Sequence, residues 1–389
     1  MVRAVVPPRP RCYDPRDESQ GSTEQGGREP MEVLERWRRP DAWRKPGRVA
    51  LANQASVRAE DPMQAALLAA EVELVPTPLR DEQGNVAKAV CESDVVVSGG
   101  ARLDQGFFSA LRATRLLVRP YVGYDDIDVD AATAHGVLVA NIPDAITDDV
   151  ANQAMALILA ANREVIRLDR FVRDGSWARL RRRTPEGMII HRPSALTLGL
   201  IGFGNIGQAT ARRAAPFGFR IVAHDPFIPA VVAEAQGVTM LPLEELLRES
   251  DIVSIHVFLS EQTRHLLNAE RLALMKPTAW VVNTARGPVI DEEALVAALR
   301  EGRIAGAGLD VMDREPLDPA SPLIGMENVV LSPHVAGYSE EGMLQMRNRA
   351  AEIALQVATG GLPQRHVVIN KGLYDQLAAL PELAQVPRP

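Results

Sequence analysis

Four polar residues in the second half of the chain could together bind a carboxylate and move a proton. Arg286, Asp310, Glu315 and His334 each follow an apolar run. A guanidinium can hold a carboxylate with two parallel hydrogen bonds, and an imidazole can give a proton to a developing alkoxide. A carboxylate on the other ring nitrogen would fix the tautomer and raise the histidine pKa. This chemistry suits hydride transfer to a 2-oxo acid.

The strands and helices that must position these residues are predicted from an alternation of short β-rich runs with helix-like stretches. From residue 48 onward this alternation forms two series, which is typical of βαβ units and parallel sheets. Ligands bind beyond the carboxyl ends of strands in such sheets, so polar residues that follow strands are expected to converge. The predicted fold class is α/β, with two doubly wound parallel-sheet domains.

Two long helical stretches, 147–174 and 339–358, are predicted to cross between the domains. The first 47 residues are rich in proline and charge, so we expect a disordered tail, with a partner-binding arm as the alternative. The predicted division is a tail at 1–47, a substrate-binding domain at 48–147 and 339–375, and a nucleotide-binding domain at 148–338.

A glycine-rich turn is the clearest binding motif. Gly202, Gly204 and Gly207 lie between an apolar run and a helix-like stretch, the context in which such glycines let a backbone approach a pyrophosphate. Asp225 ends the next strand-like run, near the spacing of an acid that binds the ribose hydroxyls. Its charge would repel the 2′-phosphate of NADP, which favours NAD, although three nearby arginines leave NADP open. The predicted cofactor residues here are Gly202, Gly204, Asn205, Ile206, Gly207 and Asp225.

Composition excludes several other classes of function. The formal net charge of −7 argues against a dedicated nucleic-acid binder. No uninterrupted apolar run approaches the 18 or more residues of a membrane helix, so no membrane association is expected. Cys12 and Cys91 are the only cysteines, too few for a disulfide framework or a cysteine-rich metal site. A cytoplasmic location fits, and no metal is predicted.

Five separated motifs resemble the D-isomer-specific 2-hydroxyacid dehydrogenase family. The resemblance extends over about residues 48–368 and implies a Rossmann nucleotide-binding domain and a flavodoxin-like substrate domain, linked by two crossing helices. The motifs are Val122–Asp128, Gly202–Gly207 with Asp225, Asn283–Gly287, Gly308–Val311 with Glu315 and Pro316, and Ser332–Gly337.

The resemblance also implies roles for individual residues. Arg286 would bind the substrate carboxylate and polarise the ketone. His334 would be the general acid in reduction and the base in oxidation, paired with Glu315. Members of the family are commonly homodimers built through the nucleotide domain. Thr284, Ala285, Asp310 and His334 would contact the nicotinamide, and Gly99, Gly100, Val122, Gly123, Arg286 and His334 would bind the substrate.

Departures from the family pattern leave the substrate open. The nearest resemblance is to the C-terminal-binding-protein-like branch, but Gly337 stands where that branch has tryptophan. Tyr121 replaces a usual glycine, and it could narrow the pocket, stack on a substrate group or simply lie at the surface. The basic run 179–183 is either a solvated face or an attractor for a second anionic group. The alternatives to a 2-oxo acid reductase are a dinucleotide-sensing partner-binding protein of the corepressor type and a phosphite-type dehydrogenase.

Overall fold

The structure is a computed structural model that describes residues 34, 36, 37, 47–52, 62–181 and 183–384. In this part of the chain, twelve strands form two parallel sheets. The first sheet contains β1 (Arg48–Ala52), β2 (Glu73–Thr77), β3 (Val95–Ser98), β4 (Leu116–Val118) and β5 (Leu138–Ala140). The second contains β6 (Thr197–Ile201), β7 (Arg220–His224), β8 (Thr239–Met240), β9 (Ile252–Ile255), β10 (Trp280–Asn283), β11 (Gly306–Leu309) and β12 (Val329–Leu331).

Helices connect and cover both sheets. Before the second sheet come α1 (Pro62–Ala69), α2 (Lys88–Cys91), α3 (Gln105–Ala110), α4 (Val129–Ala134), α5 (Thr147–Arg163), α6 (Val165–Arg173) and α7 (Ser176–Leu180). Within and after it come α8 (Asn205–Ala214), α9 (Ala230–Glu234), α10 (Leu243–Glu249), α11 (Ala269–Leu272), α12 (Glu292–Arg300), α13 (Glu340–Ala358), α14 (Lys371–Ala378) and α15 (Pro381–Ala384).

The strand orders place the ligand-binding edges. The first sheet has the order β2-β1-β3-β4-β5 and the second β12-β11-β10-β9-β6-β7-β8, with parallel pairing throughout. Each order reverses direction beside its first strand, and ligands bind in the crevice at such a point. The predicted fold class, two doubly wound α/β domains, is confirmed.

The apolar runs form strands because both faces of each sheet are covered. On β3, Val95 and Val97 pack into one core cluster, whereas Val96 packs into another with Phe107 and Phe108 of α3. Burial on both sides explains why these strands are continuously apolar rather than alternating with polar residues.

Two helices each follow one sheet along the chain but pack against the other sheet. Helix α5 follows the first sheet but packs against α8, β10 and β11 of the second, and α13 follows the second sheet but packs against α1, β3 and β4 of the first. The side chain of Ser339 caps α13 by accepting a hydrogen bond from Gly342 N at 2.8 Å. These are the two predicted crossing helices.

Some predicted boundaries are wrong. The stretch 147–174 is not one helix, because Glu164 adopts a left-handed conformation with φ of 47° and separates α5 from α6. Trp37 lies within the predicted tail, yet it is fully buried in the core of the first sheet and its indole N–H donates to Gly136 O at 2.8 Å. Most of the predicted tail lies outside the described residues.

The end of the chain returns to the first sheet. Ile369 N donates to Val139 O at 2.8 Å, and Val139 N donates to Asn370 Oδ1 at 2.9 Å. Asn370 Nδ2 also donates to Val137 O at 3.0 Å. The edge strand β5 is thereby held by a segment more than 200 residues further along the chain.

Candidate active site

His334 and Glu315 form a hydrogen-bonded pair at the end of the second sheet. His334 follows β12, and its Nδ1 lies 2.7 Å from Glu315 Oε2. The hydrogen bond from Glu315 raises the pKa of His334, against the opposing effects of burial and of Arg286. With Nδ1 held by the carboxylate, Nε2 is the nitrogen left for proton transfer. The side chain of His334 is 47% exposed, so a ligand can reach it.

The partner carboxylate stays ionised. Burial acts to raise the pKa of Glu315, but the hydrogen bonds from His334 and from Met312 N together hold that pKa below its usual value. Met312 N donates to the other carboxylate oxygen, Oε1, at 3.0 Å. The loop between β11 and β12 thus fixes Glu315 in the orientation that the imidazole requires.

Asp310 is fully buried and braces the loop that carries His334. Its Oδ1 accepts from Ser332 Oγ at 2.5 Å and from Val335 N at 3.1 Å, and its Oδ2 accepts from Ala336 N at 2.8 Å. Its main-chain oxygen accepts from His334 N at 2.7 Å. Asp310 therefore positions the histidine, and its predicted contact with the nicotinamide stays a prediction.

Arg286 reaches from the second sheet toward the first. It follows β10 in extended conformation, and Asn283 clamps the turn by donating to Arg286 O at 2.9 Å and accepting from Ala285 N at 3.0 Å. Its Nη1 donates to Ala285 O at 2.7 Å, and its Nε donates to Asp125 Oδ1 at 2.9 Å. A side chain on Gly123 would collide with Arg286 Nη2, so only glycine permits this approach.

Asp125 was not among the predicted site residues. It lies within the motif at 122–128, but no local pattern indicates that it faces Arg286, because the contact joins the two domains. The remaining predicted substrate residues lie at the same edge. Gly99 and Gly100 follow β3, and Val122 and Gly123 follow the adjacent strand β4. The structure therefore brings these loops and Arg286 to one cleft.

The glycine-rich turn has the geometry of a dinucleotide cradle. Gly202 has φ of +96°, and a side chain on Gly207 would collide with Gly202 O. Apart from Gly204 itself and its two chain neighbours, no described residue lies within 4 Å of a β-carbon built on Gly204, so space is open in front of α8. Asp225 is fixed beside the turn, since its Oδ2 accepts from Phe203 N and its Oδ1 from Phe227 N, at 2.8 and 2.9 Å.

Two further observations fit a bound dinucleotide. Thr284 Oγ1 is buried and has no hydrogen-bond partner among the described residues, which suits an amide group arriving from a ligand. The N-terminus of α8 offers main-chain N–H groups that favour phosphate, and a groove of about 280 Å³ opens beside it. Its lining residues are Asp144, Thr147, Asp148, Asn205, Gln208 and Arg212.

His256 is a half-buried histidine with a different environment. It follows β9, and its Nε2 lies 3.0 Å from Ser254 Oγ. Burial lowers the pKa of His256 to about 4, so the ring is neutral at physiological pH. Its main-chain oxygen lies against Gly202. His256 therefore packs beneath the glycine-rich turn.

The described residues contain neither a helix that could span a membrane nor a group of three or more His, Cys, Asp or Glu suited to a metal ion.

The fold and the cleft define an oxidoreductase that uses a nicotinamide dinucleotide. Residues 155–336 match the family model of the D-isomer specific 2-hydroxyacid dehydrogenase, NAD binding domain. The chain is also 44% identical over 261 residues to a glyoxylate reductase of Korarchaeum cryptofilum (strain OPF8), a match that covers 67% of this chain and 78% of the relative. The chain belongs to the D-isomer-specific 2-hydroxyacid dehydrogenase family.

Two solved structures extend the comparison. A D-lactate dehydrogenase of Aquifex aeolicus, complexed with NAD and lactic acid, is 28% identical with a TM-score of 0.68, over 78% of this chain and 93% of that one. An NADPH-dependent glyoxylate/hydroxypyruvate reductase of Sinorhizobium meliloti, complexed with NADP and malonate, is 29% identical with a TM-score of 0.72, over 84% and 98%. The family resemblance is confirmed, and both dinucleotides occur among similar structures.

Proposed function

We propose that the protein is an NAD-dependent reductase that converts a small 2-oxo acid to a D-2-hydroxy acid. The observation that carries the proposal is the 2.7 Å pair of His334 and Glu315 at a cleft that Arg286 also enters. A dinucleotide bound at the glycine-rich turn supplies the hydride when its nicotinamide lies in that cleft. The names of the curated relatives make glyoxylate the first substrate to test.

The chain's own residues perform the other steps. The Nη1 and Nη2 groups of Arg286 bind the substrate carboxylate, together with main-chain N–H groups of the loops at 99–100 and 122–123. His334 Nε2 donates a proton to the carbonyl oxygen as negative charge develops there. Glu315 stabilises the imidazolium before that transfer and keeps the tautomer that faces the substrate. In the oxidation direction the neutral imidazole accepts the proton.

Asp225 favours NAD over NADP in this proposal. Both of its carboxylate oxygens are held by main-chain N–H groups, which fixes a negative charge at the end of β7. A ribose 2′-hydroxyl can hydrogen-bond to such a group, whereas a 2′-phosphate is repelled. Thr284, Ala285 and Asp310 remain the proposed contacts of the nicotinamide, with Asn205 and Ile206 at the pyrophosphate.

The domain division and the assembly are proposals as well. We place the substrate-binding domain at 48–147 and 339–375 and the nucleotide-binding domain at 148–338. A homodimer through the second domain is supported by large apolar side chains that are exposed on and after α6 and α7 and that a partner copy would cover. Sedimentation of the full chain tests it. These side chains are Val165, Ile166, Val172, Trp177, Leu180 and Ile189.

Other functions have less support. The intact set of Arg286, Glu315 and His334 favours an enzyme over a partner-binding sensor of the corepressor type, because a sensor does not need an acid–base pair. A β-carbon on Gly337 would lie 2.6 Å from Ile146 Cδ1, so the tryptophan of the C-terminal-binding-protein-like branch would have to displace that side chain. Phosphite oxidation stays an alternative, which a separate assay of NAD⁺ reduction with phosphite as the donor would test. Arg179 of the basic run is exposed and donates to Ser176 Oγ, which supports a solvated face.

The test is oxidation of NADH and NADPH by the full chain with a panel of 2-oxo acids. We expect turnover of glyoxylate with NADH, and a loss of about 10²–10⁴-fold in His334→Ala, the usual range for removal of a general acid. His191→Ala is the matched control, because His191 is exposed and lies in a loop. An enzyme that turns over no 2-oxo acid, or a His334→Ala variant with full activity, would refute the proposal.

A further inference from the structure

Tyr121 occupies an unexplained position at the rim of the cleft. Tyr121 follows β4, and this residue is 41% exposed. A large side chain at this edge of the sheet reduces the space that is available to a ligand. Its ring lies on Gly99, since a β-carbon built on Gly99 would be 2.8 Å from Tyr121 Cε2 and 2.9 Å from Tyr121 Oη. The phenol therefore covers one of the two loops proposed to bind the substrate.

The backbone of this residue is held in place. Ile142 N donates to Tyr121 O at 3.2 Å, and Asn141 Nδ2 donates to the next carbonyl, Val122 O, at 2.6 Å. Two residues after Tyr121, Gly123 lies against the guanidinium of Arg286. The ring thus stands on a fixed backbone and lies against the loop at 99–100, two residues before the glycine that touches Arg286.

We infer that Tyr121 is a specificity-determining residue that limits the length of the substrate. When Arg286 holds the carboxylate, a substituent on the ketone carbon that extends toward Gly99 meets the ring. The enzyme accordingly prefers 2-oxo acids with no substituent or one small group, such as glyoxylate and hydroxypyruvate, over branched or aromatic ones. This inference rests on the proposed function.

The experiment compares kcat/KM for glyoxylate, 2-oxopentanoate and phenylpyruvate in the wild-type chain and in Tyr121→Ala. We expect the ratio of phenylpyruvate to glyoxylate to rise by about 10- to 200-fold in the variant, the discrimination that one or a few buried groups in an apolar pocket provide. Tyr121→Phe is the matched control. It keeps the ring and removes only the hydroxyl, so its ratio should stay within about threefold of the wild-type value.

The outcomes separate this inference from the proposed function. If the wild-type chain reduces glyoxylate but its selectivity is the same in Tyr121→Ala, the inference is wrong and the proposed function stands. If the wild-type chain prefers phenylpyruvate, the inference is also wrong. If the wild-type chain reduces no 2-oxo acid, both are refuted. Tyr121→Leu repeats the test with a smaller cavity should Tyr121→Ala fail to fold, and it should shift the ratio in the same direction by less.

Discussion

Replacement of Arg286 by lysine tests whether the guanidinium is needed as a fork or only as a positive charge. In the structure Nε is taken by Asp125 and one hydrogen of Nη1 by Ala285 O, which leaves Nη1 and Nη2 to hold a carboxylate with two bonds. A lysine ammonium is a point charge that cannot form this pair of bonds and also keep the contact with Asp125.

The expected fall in kcat/KM follows from the hydrogen bond to the substrate carboxylate that lysine cannot form. One hydrogen bond to a charged group is worth about 1.5–3 kcal/mol. At about 1.36 kcal/mol for each factor of ten, this loss predicts a fall in kcat/KM of about 10- to 160-fold. The ion pair with Asp125 adds little, because both side chains are about a third exposed and such pairs are worth at most about 1 kcal/mol.

Initial rates of glyoxylate reduction at several substrate concentrations give the comparison. Arg300→Lys is the matched control, because Arg300 is exposed at the end of α12. It should have wild-type kinetics. An Arg286→Lys variant within threefold of wild type in kcat/KM would refute the carboxylate fork and leave Arg286 as a structural contact between the domains.

Three other changes have defined outcomes. The rate of reduction should decline as pH rises through the pKa of His334. Glu315→Gln should move this decline to lower pH, since Glu315 raises the pKa of His334. An unmoved pH profile of kcat/KM would contradict the pairing. Asp225→Ala should increase the efficiency of NADPH relative to NADH, and an unchanged ratio in the same assay would remove Asp225 from the cofactor site. Trp37→Ala should lower the free energy of unfolding, measured in urea, by about 3–5 kcal/mol. The substitution empties a buried site and leaves Gly136 O without its donor. A loss below about 1 kcal/mol would show that Trp37 is dispensable.

The sequence was sufficient to predict most of the fold because the strands are continuous apolar runs. Runs such as Leu116–Val118 and Val329–Leu331 form the whole of β4 and β12. The two-residue strand β8 was missed, since its residues form no run or alternation. The break at Glu164 was also missed, because a left-handed residue is usually glycine or asparagine.

The candidate site was predictable where it depends on strand ends and not where it depends on the approach of the domains. His334 and Glu315 follow neighbouring strands, so their meeting follows from sheet topology. The pairing of Asp125 with Arg286 depends on how the two domains face each other, which no local pattern encodes. The bracing of the His334 loop by Asp310 was not predicted, because it depends on a loop whose course only the structure gives.

The return of the chain end to the first sheet bears on the order in which a ribosome can complete this protein. Strands β1–β5 are synthesised first, but the helix that covers one of their faces, α13, and the segment that holds β5 come last. One apolar face of the nascent first sheet therefore stays uncovered while the second sheet is synthesised and folds. Synthesis from the amino end thus exposes the first sheet for longer than the second. A shortened chain that ends before α13 would leave that face uncovered permanently.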